Sequence, residues 1–203
     1  MNIKKNSFEN NILEEVSKTF EEVFDSSSFE VSHAHNTIEL SVKENKILSI
    51  TKLLKDNDKL KFNQLIDITA VDYPSKKKRF EMVYIFLSIE YNKRLILKFY
   101  VEEDQEIDSL TSIFPAANWY EREVWDLFGI AFKNHPDLRR LLTDYGFIGH
   151  PLRKDFPLSG NVEVKYDLNS KKVIYEPIKL TQSFRTFDFE SPWEGETLKE
   201  KND

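Results

Sequence analysis

Three apolar-rich segments between positions 63 and 101, each reading as a strand, constrain this chain most. Asn63–Tyr73 carries Leu65, Ile66, Ile68 and Val71 and stops at Pro74, a residue excluded from central strand positions. Phe80–Tyr91 is the most apolar segment and reads as a central strand. Arg94–Val101 sets Leu95, Leu97, Phe99 and Val101 against Arg94 and Lys98, and Asn92-Lys93 before it is short enough for a hairpin. Three strands with one apolar face need a cover.

Helical periodicity supplies that cover. Phe8, Ile12, Leu13, Val16, Phe20, Val23 and Phe24 recur every three or four residues, with Ser7 as the expected N-cap and Ser26-Ser27-Ser28 as the stop. Phe29–His33 and Thr37–Val42 read as two short strands, and Ile47, Leu48, Ile50, Leu53 and Leu54 as a second helix. The expected fold is α+β: a mixed or antiparallel sheet packed against helices, with a long extended C-terminal tail. Asp108–Phe114 is expected as a short helix. Asn118–Phe128 is a clearer one, with Asn118 as cap, Glu121 completing a capping box and Gly129 ending it. Glu102–Asp108 reads as an acidic surface loop.

From Ile130 onward the pattern changes. Five of the seven prolines fall in the last third, and proline removes a backbone donor, so long regular elements are not expected there. Val162–Tyr166 and Val173–Ile178 read as short edge strands. Tyr166, Tyr175, Phe184, Phe187, Phe189 and Trp193 need cover, which a segment without a period of its own must find on its domain or on a partner. The expected organisation is an α+β domain over 1–130, then an irregular loop and extended partner-binding tail over 131–203.

Composition excludes several chemistries. The 203 residues include no cysteine, which removes disulfides, thiolate metal sites, cysteine-ligated clusters and thiol nucleophiles. A net charge of −6 argues against general nucleic-acid binding. The longest apolar run, Met82–Leu87, falls far short of the roughly 20 residues a bilayer span needs. The first residues show neither a signal-peptide nor a presequence pattern, so the chain is expected to work where it is made. No glycine-rich phosphate loop or nucleophile elbow occurs.

The remaining chemistry is a charged cluster: His135, Asp137, His150 and Asp155 among Arg139, Arg140, Arg153 and Lys154. A hydrolytic metal site built from His135, Asp137, His150 and Asp155 is one reading. A loop held together by internal carboxylate–guanidinium pairs is the favoured one, because the arginines would repel a cation. His33 and His35 read as surface or structural histidines. Arg139, Arg140, Arg153 and Lys154, with Tyr145 and Phe147 for stacking, allow an RNA-binding reading that Asp137, Asp144 and Asp155 weaken. Glu121 and Glu123 are about 200° apart on a helix and do not converge on one substrate atom. Arg122 and Asp126 are spaced to pair along it.

Glu121-Arg122-Glu123-Val124-Trp125-Asp126-Leu127-Phe128-Gly129-Ile130, followed by His135-Pro136-Asp137-Leu138-Arg139-Arg140-Leu141-Leu142, resembles the signature of the C subunit of respiratory complex I, the proton-pumping NADH:quinone oxidoreductase. Thr143–Phe147 and Gly149–Leu158 resemble its second hallmark, and Val164–Asp167, Glu176-Pro177, Phe187–Phe189 and Ser191–Trp193 fit the same pattern. Ile148 stands where this family usually has a charged residue, often Glu. The unfused length resembles the alphaproteobacterial and mitochondrial form.

The resemblance implies a non-catalytic structural subunit of the hydrophilic arm, without a cofactor of its own, in a complex carrying FMN, iron–sulfur clusters and quinone. The implied neighbour is the quinone-site subunit related to the hydrogenase large subunit. The implied location is peripheral on the inner or plasma membrane, on a bacterial cytoplasmic face or the mitochondrial matrix side. Glu121, Arg122, Glu123, Asp126, His135, Arg139, Arg140, Arg153, Lys154 and Asp155 are the expected packing and interface determinants, with no catalytic residue among them. The equivalent subunit of a membrane-bound hydrogenase-type complex is the related alternative.

Overall fold

A computed structural model describes residues 16–22, 28–34, 37–43 and 46–182. The expected helix over 8–24 is seen at 16–21, and its remainder lies outside the described residues, as do His35, Phe184, Phe187, Phe189 and Trp193. The chain divides into two compact units, Met1–Leu158 and Ser159–Asp203.

The first unit is built on a five-stranded sheet. Its strands are β1 (Phe29–Ala34), β2 (Thr37–Val42), β3 (Gln64–Asp72), β4 (Phe80–Ser88) and β5 (Lys93–Val101), in the order β1-β2-β5-β4-β3. β1–β2, β3–β4 and β4–β5 are antiparallel, and β2–β5 is parallel. β3 therefore runs in the same direction as β2, and helix α1 (Ile47–Asp56) connects them while β5 and β4 fill the space between: a split β-α-β unit. The mixed sheet expected from the sequence is thus present.

Alternation explains which side is buried. Phe80, Met82, Tyr84 and Phe86 of β4 face the core beside Leu95, Leu97, Phe99 and Val101 of β5. The register of β3 shifts between Leu65 and Asp67, and this bulge lets Leu65 and Ile68, three apart, both face inward. α1 buries Ile47, Ile50, Thr51 and Leu54, a one-stripe pattern of a surface helix.

Asp108–Phe114 is not a helix. Ile107–Asp108 forms β6, paired in parallel with β7 (Phe132–Lys133), and the chain then turns with the amides of Ile113 and Phe114 on the Leu110 carbonyl. This bridge draws residues 107–110 into the core, where Ile107 and Leu110 are fully buried.

Helix α2 (Ala117–Phe128) sits on this foundation. It buries Ala117, Val124 and Phe128, and Phe128 meets Phe80 edge to face at 6.5 Å between ring centroids. Yet Glu121, Arg122 and Asp126 are buried too, so α2 does not present an ordinary solvated charged side. Gly129 ends the helix in the left-handed region at φ +79°, as the sequence implies.

The second unit contains an antiparallel hairpin, β8 (Val162–Asp167) and β9 (Lys172–Pro177). One face pairs Val164 with Tyr175 and Tyr166 with Val173, all exposed.

Candidate functional site: a loop pinned to helix α2

The buried charges of α2 hold residues 135–156. Asp126 has no exposed side-chain surface. Its Oδ2 accepts the backbone N–H groups of Leu141 (3.0 Å), Leu142 (2.7 Å) and Thr143 (2.9 Å). Its Oδ1 accepts from Arg140 Nη1 at 2.7 Å and from the Thr143 hydroxyl. Burial would raise the carboxyl pKa. The Thr143 hydroxyl, the Thr143 and Leu142 amides and Arg140 outweigh it and hold the group well below the usual carboxylate range.

Arg140 extends this clamp with its Nη2 on the Gly149 carbonyl at 3.1 Å. Arg122 donates through Nε to the Arg139 carbonyl and through Nη2 to the Arg140 carbonyl, both at 3.1 Å. The expected Arg122–Asp126 pair along the helix is therefore replaced. Both side chains serve loop backbone instead, where an unpaired buried polar group would be costly.

The C-terminus of α2 is closed in the same way. Arg153 Nε donates to the Phe128 carbonyl, and His150 Nδ1 to the Asp126 carbonyl at 2.9 Å. The Leu152 amide reaches the Leu127 carbonyl at 3.0 Å. These donors satisfy carbonyls that the helix leaves without partners. Gly129 is needed for space as well as for φ, since an added Cβ would lie 2.5 Å from Arg153 Nη2 and 2.6 Å from His150 Nε2.

A second anchor comes from the end of β3. Asp72 is paired with Arg79 through two bonds, Nε–Oδ1 at 2.7 Å and Nη2–Oδ2 at 2.9 Å, and Oδ2 also accepts the Lys154 amide at 2.7 Å. The Arg79 bond is the largest influence on Asp72 and, despite burial, keeps its carboxyl below the usual range. Arg79 further meets Asp155 at 3.0 Å and Glu103 at 3.3 Å, and Arg153 also pairs with Glu103. Asp72, Arg79, Glu103 and Thr143 were not candidates from sequence. Asp72 and Lys154 are 82 positions apart, and no local spacing reports such a contact.

At the start of α2 the expected capping box is absent. Ala116 is the N-cap residue, and no side chain caps the helix. Glu121 turns inward instead: its Oε1 accepts the Leu110 amide at 2.6 Å, while Oε2 has no hydrogen-bond partner. Burial pushes its carboxyl up to about 7, against the lowering effect of Ser109 and the Leu110 amide. His135, whose side chain is equally enclosed, places Nε2 3.0 Å from the Asn118 carbonyl and 3.9 Å from Glu121 Oε2.

The other expected determinants lie further out. Glu123 is half-buried, Arg139 pairs with Asp137 in solvent, and the Lys154 side chain is exposed while its amide holds Asp72. His135, Asp137, His150 and Asp155 do not converge. Their partners are the Asn118 carbonyl, Arg139, the Asp126 carbonyl and Arg79 respectively. Among the described residues no group of three or more His, Asp or Glu is placed to hold a metal ion. Arg140 and Arg153 are likewise committed internally, which removes them from an RNA-binding surface.

Beside exposed charges such as Asp137, Arg139 and Lys154, the pinned loop turns several large apolar side chains outward. Tyr145 and Ile148 are 97% and 85% exposed, and Leu142, Leu152 and Leu158 are also exposed. Fixed backbone beneath exposed apolar side chains is the arrangement expected of a scaffold subunit, a class of protein that works by holding a neighbour. Comparison with known proteins makes this specific. Residues 40–162 match the family model for the respiratory-chain NADH dehydrogenase 30 kDa subunit, and the chain belongs to that family. It is similar to the C subunit of the NADH-quinone oxidoreductase of Paramagnetospirillum magneticum, 52% identical over 78% of this chain and 79% of the relative. It is 46% identical to NADH-ubiquinone oxidoreductase subunit 9 of Reclinomonas americana over 98% of this chain and 97% of the relative. A solved structure of the membrane-bound sulfane sulfur reductase, an archaeal respiratory membrane complex, contains a chain similar at TM-score 0.60 and 28% identity, covering 71% of this chain and 85% of that one.

Proposed function

We propose that the chain is a non-catalytic structural subunit of the hydrophilic arm of an NADH:quinone oxidoreductase. It packs beside the quinone-site subunit and supports electron transfer from NADH to quinone coupled to proton translocation. The supporting observation is the division of labour in residues 135–158: buried charges fix the backbone, and exposed apolar side chains face outward. In this reading Asp126, Arg122, Arg140, Arg153 and Asp155 act on assembly by shaping the loop. Glu121, Glu123, His135, Arg139 and Lys154 belong to the same packing and interface set. FMN, iron–sulfur clusters and quinone are carried by partner subunits.

Among the described residues no helix is long and apolar enough to cross a membrane. Attachment to the inner or plasma membrane is peripheral, through partners, on the cytoplasmic or matrix side. The test is native purification through a tag on this chain, with partner identification and an NADH:quinone activity assay. Recovery of a flavin- and iron–sulfur-containing assembly with that activity supports the reading. Recovery of an assembly without NADH activity points to the alternative, the equivalent subunit of a membrane-bound hydrogenase-type complex. Recovery of the chain alone overturns both.

A further inference from the structure

The start of α2 holds one N–H between two acceptors. The Asp137 amide donates to His135 Nδ1 at 3.1 Å, so Nδ1 offers its lone pair and the ring proton of the neutral imidazole is on Nε2. That Nε2–H donates to the Asn118 carbonyl at 3.0 Å. Glu121 Oε2 is 3.9 Å from the same nitrogen and makes no hydrogen bond of its own. Both side chains are fully enclosed.

We infer that Glu121 and the Asn118 carbonyl compete for His135 Nε2–H, and that loss of the Glu121 proton swings the ring toward Oε2 and loosens the 135–137 turn. With Glu121 neutral, Oε2 exerts little pull and the ring stays on Asn118. With Glu121 ionised, a buried carboxylate oxygen without a donor becomes the stronger acceptor. A ring that follows it draws Nδ1 away from the Asp137 amide. The charge on Glu121 thereby reaches the first residues of the pinned loop.

The groups around Glu121 define the competition. From β4 comes the Tyr84 hydroxyl, fully buried, also without a hydrogen bond and therefore a second donor that an ionised Glu121 attracts. From 107–114 come the Ser109 hydroxyl and the Leu110 amide, and from 134–137 comes His135. Arg122 and Asp126 on α2 itself are committed to the loop backbone. Burial that carries the Glu121 carboxyl to about 7 sets the exchange near neutrality.

The experiment is a titration of the full-length chain from about pH 5 to about pH 9, with isotope-labelled histidine followed by NMR and the Asp137 amide followed by hydrogen exchange. The expected result is a step in the His135 Nε2–H resonance near neutrality, with the Asp137 amide less protected on the alkaline side. Glu121→Gln, which keeps the side chain neutral, is expected to abolish the step. A flat His135 signal in the natural chain, or a step that survives Glu121→Gln, overturns the inference. Should that variant not fold, carboxyl-labelled glutamate in the natural chain decides it. Glu121 ionising in concert with the His135 step supports the exchange, and Glu121 ionising in the ordinary carboxylate range overturns it.

Discussion

Asp72 Oδ2 accepts the backbone N–H of Lys154 at 2.7 Å, joining the end of β3 to a loop 82 positions further along. The same carboxylate holds Arg79 through two bonds and has no exposed side-chain surface. Removing it leaves a mostly enclosed guanidinium with only the more exposed Asp155 and Glu103 as partners. Asp72→Ala is expected to destabilise the chain by about 3–5 kcal/mol, the usual cost of breaking a buried pair from one side. Denaturant unfolding measures it, and a loss below about 1 kcal/mol would show that Asp155 and Glu103 suffice for Arg79.

Asp126 gives the acid-side dependence. Its folded pKa lies below the unfolded value of about 3.9, so the folded state holds fewer protons in the window between them. Its stabilisation is complete above the unfolded pKa and disappears as pH falls through the folded one. Asp126→Asn is expected to remove that part of the acid sensitivity and to raise hydrogen exchange at Leu141, Leu142 and Thr143. Unfolding measured at several acidic pH values checks the first expectation, and unchanged exchange at those amides would contradict the second.

Gly129 is expected to tolerate no side chain. Alanine there meets the left-handed backbone penalty of about 1–2 kcal/mol and forces Arg153 or His150 off the end of α2. The measurement is the thermal midpoint of Gly129→Ala together with proteolysis of residues 150–156. A midpoint unchanged from the natural chain would mean that the loop can move aside.

How much of this was legible follows from which contacts are local. β4, β5 and α1 announce themselves by period, because each buries one face and the alternation or 3–4 spacing records it. Gly129 was legible because the end of a helix demands a left-handed residue. The capping box at Asn118 and Glu121 was a sound local reading that tertiary structure overrode: the Leu110 amide claims Glu121 once β6 and β7 pair. The Arg122–Asp126 pair failed likewise, since loop backbone 15–17 positions beyond Asp126 offers three N–H groups to one oxygen. The parallel β2–β5 pairing leaves no mark in either strand's own pattern.

The exposed apolar residues separate folding from assembly. Ile148 and Tyr145 stand almost entirely in solvent, so Ile148→Asp and Tyr145→Asp are expected to shift stability by no more than about 0.5 kcal/mol. Under the proposed function the same changes impair incorporation into the complex. Stability of the chain and recovery of partners through its tag are measured in parallel. Stable variants that assemble normally would remove these two side chains from the interface.

Glu121 yields the opposite pH dependence to Asp126. Its folded pKa of about 7 lies above the ordinary value of 4.5, so between the two the folded state binds more protons than the unfolded chain. Stability attributable to Glu121 is therefore present in full below the unfolded pKa and falls as pH rises toward 7. Above that it levels off, because both states are ionised. At about 1.4 kcal/mol per unit, the loss is on the order of 3 kcal/mol. Glu121→Gln is expected to flatten this slope, matching the natural chain near pH 5 and exceeding it near pH 8. Urea unfolding of both proteins across that range is the check. Parallel curves would show that Glu121 ionises in the folded chain as it does in the unfolded one, and that the cost of its burial is met by a donor not seen at Oε2.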